Sequence, residues 1–218
     1  MTITFPRDLP LFRFISGSSF ALERQVVRAP TRGGLVQVAN IGTPLWRAKY
    51  QTPALTGAQV AEFDAWLDSL RGGARHFKAV HPFLRYARGY PSGYAGLTKH
   101  VGGSFAGVAQ LDAVGGTLDT VTLSDLPNGF ILAPGDLLSW THSSTMQTLH
   151  RVVEGATSAL GVMTVGIEPS VLPGSDVDVD VALGSPWFKA VIDQASASVT
   201  WQTDGNGSVT FEAWQVFA

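Results

Sequence analysis

Five histidines, His76, His81, His100, His142 and His150, are the side chains best able to bind a metal or move a proton near neutral pH. They are scattered through stretches that read as strands and loops, and no HExxH or comparable ligand spacing joins them. Core or surface histidines are the expectation. Asp176, Asp178 and Asp180 alternate with valines, a spacing that would put three carboxylates on one strand face. Calcium takes such oxygens, but neighbours on one face lie about 6.5–7 Å apart and no EF-hand loop surrounds them. A solvated strand face is the simpler reading. The glycine-serine turns Ser16-Gly17-Ser18-Ser19 and Val101-Gly102-Gly103-Ser104 lack the Gly-Lys-Ser/Thr of a phosphate loop, and no Gly-x-Ser-x-Gly elbow occurs. With zero cysteines there is no thiolate ligand, cysteine nucleophile or disulfide. These residues predict a protein that is not an enzyme and uses no catalytic residue, cofactor or metal.

The frame that would position any site is long enough to need no staple: 218 residues should bury roughly 70% of the surface of the unfolded chain. Fifteen basic against seventeen acidic residues give a net charge of -2, so no basic excess exists for a phosphate backbone, and sequence-specific nucleic-acid binding is not expected. Charged residues are only 15%, against about 25% in ordinary domains, and mean hydropathy is +0.15. Part of the exterior is therefore expected to be covered by other chains. The start carries no charged region leading into an apolar core, and no apolar run is long enough to span a membrane, so a soluble, non-secreted chain is expected.

Twenty-four glycines and twelve prolines favour many short strands joined by turns. Phe5 to Pro10, with two prolines, reads as an extended arm. Strands are expected near Phe20 to Val27, Leu35 to Ala39 and Leu45 to Gln51; in the last, Trp46, Ala48 and Tyr50 alternate with Arg47, Lys49 and Gln51. One helix stands out from about Gly57 to Arg71. Thr56 and Gln59 have capping-box spacing, and Val60, Phe63, Leu67 and Leu70 form an apolar stripe that Trp66 widens. A strand from Phe77 leads into a turn-rich segment. Between Leu97 and Leu183, short β runs predict a small barrel or sandwich. Two long strands, Phe188 to Trp201 and Ser208 to Phe217, return as a hairpin around Asp204-Gly205-Asn206-Gly207.

The expected fold is mainly β: a β-sandwich domain with one α-helix, from residues 1–94 plus 185–218, interrupted by a small β-barrel or sandwich at 95–184. Trp46, Tyr50, Phe63, Trp66, Leu67, Leu70, Trp201 and Phe211 are the expected core of the first domain. Six tryptophans also raise a rival reading, a carbohydrate-binding β module for host attachment, with Trp140 and Trp187 not assigned to either core. A hydrolase acting on cell-wall or capsule polymers is a third and weaker reading.

Several pieces occur in a meaningful order: Leu45-Trp46-Arg47-Ala48 with Pro53, the helix from Ala61 to Gly72, Phe77, Leu132-Ala133-Pro134-Gly135-Asp136-Leu137, Leu149-His150-Arg151-Val152, Gly161 to Val165, and Ile167-Glu168-Pro169. In this order, over about residues 40 to 170, the chain resembles the distal tail proteins of long-tailed (siphovirus-like) bacteriophages. The resemblance implies a virion protein at the distal end of the tail, assembled in the host cytoplasm. It implies a homo-oligomer, a hexameric ring, in which a β-rich belt domain continues the tail tube and an outer domain points away. Its partners would be the tail tube protein, the hub or tail tip protein, and also the tape-measure protein and tail fibres. It brings no catalytic residues.

Overall fold

The computed structural model describes residues 3–10, 17–30, 33–34, 36–143 and 145–217. Ser16 of the first glycine-serine turn and Leu35 of an expected strand lie outside them. Along the chain run β1 (Arg7–Asp8), β2 (Gly17–Glu23), β3 (Val26–Pro30), β4 (Val36–Asn40), β5 (Leu45–Gln51), α1 (Gly57–Ser69) and β6 (Phe77–Val80). There follow β7 (Val108–Val114), β8 (Thr120–Ser124), β9 (Ile131–Leu132), β10 (Leu137–Ser143), β11 (Met146–Glu154) and β12 (Ala156–Thr157). The chain closes with β13 (Met163–Glu168), β14 (Val179–Ala182), β15 (Trp187–Trp201) and β16 (Gly207–Gln215). The protein is mainly β, with one α-helix and a closed barrel.

The chain divides into two compact units, one of Met1–Leu11, His76–Ala190 and Phe217–Ala218, the other of Phe12–Arg75 and Val191–Val216. It passes between them at 11/12, 75/76, 190/191 and 216/217, where the sequence suggested only 94/95 and 184/185. The cause is visible within the first unit. Strand β6 pairs with the first four residues of β15, and the Tyr94 hydroxyl donates to the Leu183 carbonyl at 2.9 Å while accepting the Ala87 N–H at 2.9 Å. These bonds tie the turn-rich segment to the barrel it precedes.

In the second unit the strands run in the order β15, β16, β5, β2. Alternation decides which face is apolar: Trp46, Ala48 and Tyr50 of β5, and Val209, Phe211 and Ala213 of β16, are all buried. Helix α1 covers this face with Val60, Phe63 and Trp66. It starts at Thr56, whose N–H donates to Gln59 Oε1 at 3.0 Å, and it ends where Arg71, Gly72 and Gly73 all adopt positive φ. Of the eight expected core residues, Trp46, Tyr50, Phe63, Trp66, Leu70 and Phe211 are buried and Leu67 is half-buried. Trp201 is a correction: its side chain is 51% exposed. It is the last residue of β15, beside the hairpin turn, where the apolar layer has run out.

In the first unit, β1 lies parallel to β6, so the expected arm rests on a strand. The barrel has the order β10, β11, β13, β8, β7, β14 and closes on itself, filled by Leu111, Val121, Leu123, Leu138, Trp140 and Val165 among others. Strand β7, in the middle of this ring, had no counterpart among the expected strands. The predicted row of carboxylates also needs correction. Only Asp180 lies in β14; Asp178, in a bend, has φ +59° and donates its N–H to the Leu111 carbonyl, and Asp176 precedes that bend outside any strand. A left-handed residue breaks the period of two, so the three do not share a strand face.

Candidate assembly surfaces

Strands β2 to β5 form one long antiparallel ribbon. Its root pairs Gly17 with Gln51 through to Glu23 with Leu45 and belongs to the sheet. Its tip pairs Val26 with Asn40 through to Pro30 with Val36. Gly34, at φ +80°, lies in the turn. In the tip every residue of β3 and β4 is exposed except the half-buried Val26. Val27, Val36, Val38 and Ile41 are 50–66% exposed. A two-stranded ribbon this exposed is marginal in water by itself. The sequence suggested strands near Phe20 to Val27 and Leu35 to Ala39, so β4 had a counterpart, whereas β3 was met only at Val26 and Val27; the Gly33-Gly34 pair between two valine-rich runs was the available signal for the hairpin.

Beside α1 lies a groove of about 290 Å³ lined by Asp64, Leu67, Asp68, Arg71, Ile192, Ala197 and Val199. Asp64 and Asp68 stand one helical turn apart, so both carboxylates border the same opening. Strand β15 runs on past the four residues that pair with β6. From Val191 onward, its edge away from β16 has no strand beside it among the described residues. Open edges of this kind template pairing with another chain.

The sheet face opposite α1 is polar. Arg47 donates to Glu212 through Nε at 3.0 Å and Nη2 at 2.5 Å, reaches Glu23 at 3.2 Å, and sits 4.9 Å from the Trp214 ring centroid. Lys49 lies 3.4 Å from the same Glu212. The hydrogen bond from Arg47 holds the Glu212 carboxyl below its ordinary value, and the same bond raises the Arg47 guanidinium. Three strands are thus cross-linked by charge on a solvent-facing surface.

The first unit holds most of the residues that could have done chemistry and keeps them apart. His100 is exposed and His76 half-buried. His81 Nδ1 accepts N–H bonds from Phe83 and Leu84, and burial pulls its pKa down to about 4. His142 and His150 are buried in the barrel strands. His150 Nδ1–H donates to the Pro169 carbonyl at 2.6 Å, and the ring stacks on Trp140 at 4.1 Å. His142 Nδ1 and His150 Nε2 have no hydrogen-bond partner among the described residues. No group of three or more His, Asp or Glu side chains able to hold a metal occurs among the described residues. Trp140 is buried, and Trp187 is half-buried with Lys78 Nζ 5.4 Å from its ring centroid. An exposed groove of about 320 Å³ runs along Pro82–Pro91, beside Phe83, Arg85, Tyr86 and Arg88. No helix among the described residues is long and apolar enough to cross a membrane.

No protein-family model matches the chain, and no curated protein matches it.

Proposed function

We propose that the chain is a ring-forming structural adaptor of a bacteriophage tail tip, a subunit that joins the tail tube to the hub and fibre complex, as its resemblance to distal tail proteins implies. The observation that carries this reading is the ribbon tip of β3 and β4, whose Val27, Val36 and Val38 are 50–61% exposed. A contact between two different patches, repeated by rotation, closes a ring. The free edge of β15 and the projecting tip are two such patches on one molecule. The charged face held by Arg47 and Glu212 stays hydrated in that arrangement. The proposed partners are further copies of this chain, a tube protein and a hub protein, and the site of action is the distal end of a virion tail.

Native mass spectrometry tests the reading. The expected result is a species of six times 23.2 kDa, alone or once tube protein is added. A chain that stays monomeric and binds neither tube nor hub proteins overturns it.

One observation favours a second reading, a carbohydrate-binding module. Phe83 is 61% exposed beside Tyr86, Arg85 and Arg88, and an exposed ring next to hydrogen-bond donors can stack on a sugar face. Titration with host-surface glycans, followed by calorimetry with wild type and Phe83→Ala, decides it. No binding by wild type, or equal binding by both, removes the reading.

A further inference from the structure

We infer that the ribbon tip of one copy seats in the groove between α1 and β15 of the next copy. The inference rests on the ring reading and names the joint.

Cross-strand partners share a face, so the register divides the tip into two faces. Val26, Arg28, Pro30, Val36, Val38 and Asn40 lie on one; Val27, Ala29, Gln37 and Ala39 lie on the other. The first face is mostly apolar, with the Arg28 guanidinium in its middle and Asn40 at its root. No acidic residue occurs between Gln25 and Asn40. The groove is its complement: Leu67, Ile192, Ala197 and Val199 offer apolar surface, and two carboxylates, Asp64 and Asp68, against the single guanidinium of Arg71 leave its border net acidic. No salt-bridge partner of Asp64, Asp68 or Arg28 occurs among the described residues. Five residues of strand reach about 17 Å, enough to lie along three turns of helix. Seating the tip would cover its valines and fill the open edge of β15 at once, and it leaves each copy with one tip to give and one groove to fill. That is the head-to-tail geometry a closed ring requires.

Charge reversal tests the joint. Arg28→Glu alone, and Asp64→Lys with Asp68→Lys, should each raise the concentration for half-assembly by about tenfold or more, because each sets like charges against each other. The triple variant, which restores opposite charges, should return to within about threefold of wild type. A chain carrying Arg28→Cys and Asp68→Cys supplies an independent readout, since the protein has no cysteine of its own. Mild oxidation should give a ladder of disulfide-linked multimers on a non-reducing gel. Rings that form normally in the reversal variants, without a ladder from the cysteine chain, mean that the ring stands and this joint is wrong. A wild-type chain that never assembles overturns the joint together with the ring. A triple variant no better than its parents, or a tip that seats on a tube or hub protein instead, also overturns it.

Discussion

Tyr50 of β5 and Phe211 of β16 are register partners, and their rings stack with centroids 5.0 Å apart and planes 26° from parallel. Phe20 meets Tyr50 edge-on at 5.9 Å, while Phe63 and Trp66 of α1 each approach Phe211 at 5.8 Å. Phe211 is therefore the place where helix and sheet are joined.

Truncating Phe63 to Ala removes a ring that is fully buried in this cluster, and should cost about 3–5 kcal/mol through lost burial and a cavity. That is a large share of a domain's net stability. Glu62→Ala, on the exposed face of the same helix, should cost under about 0.5 kcal/mol. Urea unfolding of the two variants measures the contrast. Equal, small effects would mean that the stripe does not hold the sheet.

The two tryptophans Trp46 and Trp201 should behave differently. Trp46 is fully buried, so Trp46→Ala should cost about 3–5 kcal/mol, whereas Trp201→Ser should cost under about 1 kcal/mol and raise solubility. Thermal melts distinguish them. A comparable loss for Trp201→Ser would show that its exposed ring is covered in solution.

Asp136 is buried and holds three donors: the Ala133 N–H at 2.8 Å, the Arg88 N–H at 3.0 Å and Arg88 Nε at 3.3 Å. Replacing it with Ala leaves two backbone donors unpaired at the edge of the barrel and should cost about 3 kcal/mol. Arg88→Ala removes a half-exposed cation and keeps both backbone bonds, so its cost should be about 1 kcal/mol. Denaturant midpoints give the ratio; the reverse order would mean that the guanidinium fixes the turn.

Acid should weaken the first unit through His150. Burial lowers its pKa from 6.5 to about 4, with Pro169 opposing and His142 adding to the effect. The folded form then binds fewer protons than the unfolded chain between these values, so stability falls as pH drops from about 6.5 and levels off, for this group, below about 4. The lost stability is about 3 kcal/mol at 1.36 kcal/mol per pH unit. His81 is shifted in the same direction. Unfolding curves from pH 7 to 4.5 should show this slope in wild type and a shallower one in His150→Leu. Parallel slopes would place the acid sensitivity elsewhere.

Where local chemistry decided the outcome, the sequence was readable. Thr56 with Gln59 marked the helix start, Asp204 to Gly207 marked the last hairpin, and the alternation around Trp46 gave its inward face. Other features depend on distant partners. Strand β7 has only Ala109 and Leu111 as buried positions, too few to show a period, and it exists because β8 and β14 flank it. Asp178 looked like a strand residue until a bond to Leu111 placed it in a left-handed turn. Trp201 looked like core because a large aromatic in a hairpin strand stabilises cross-strand packing, and nothing in its own identity says where the covering layer stops. For the same reason only one strand of the ribbon tip, β4, was anticipated, and the tip's exposure could be known only once the rest of the chain was placed.

Closure of the barrel also sets the order in which it can form. Strands β7 with β8, and β10 with β11, are neighbours in sequence and can pair as soon as each has been made. Strand β14 alone completes the ring, joining Ala182 to Val108 on one side and to Ser139 on the other. Such distant pairings are slow to find, because a long loop must close before any bond rewards it. During synthesis on the ribosome, the edges of β7 and β10 therefore stay open until Val179 to Ala182 emerge. That interval is when the nascent chain is most exposed to capture by a chaperone or by another unfinished copy.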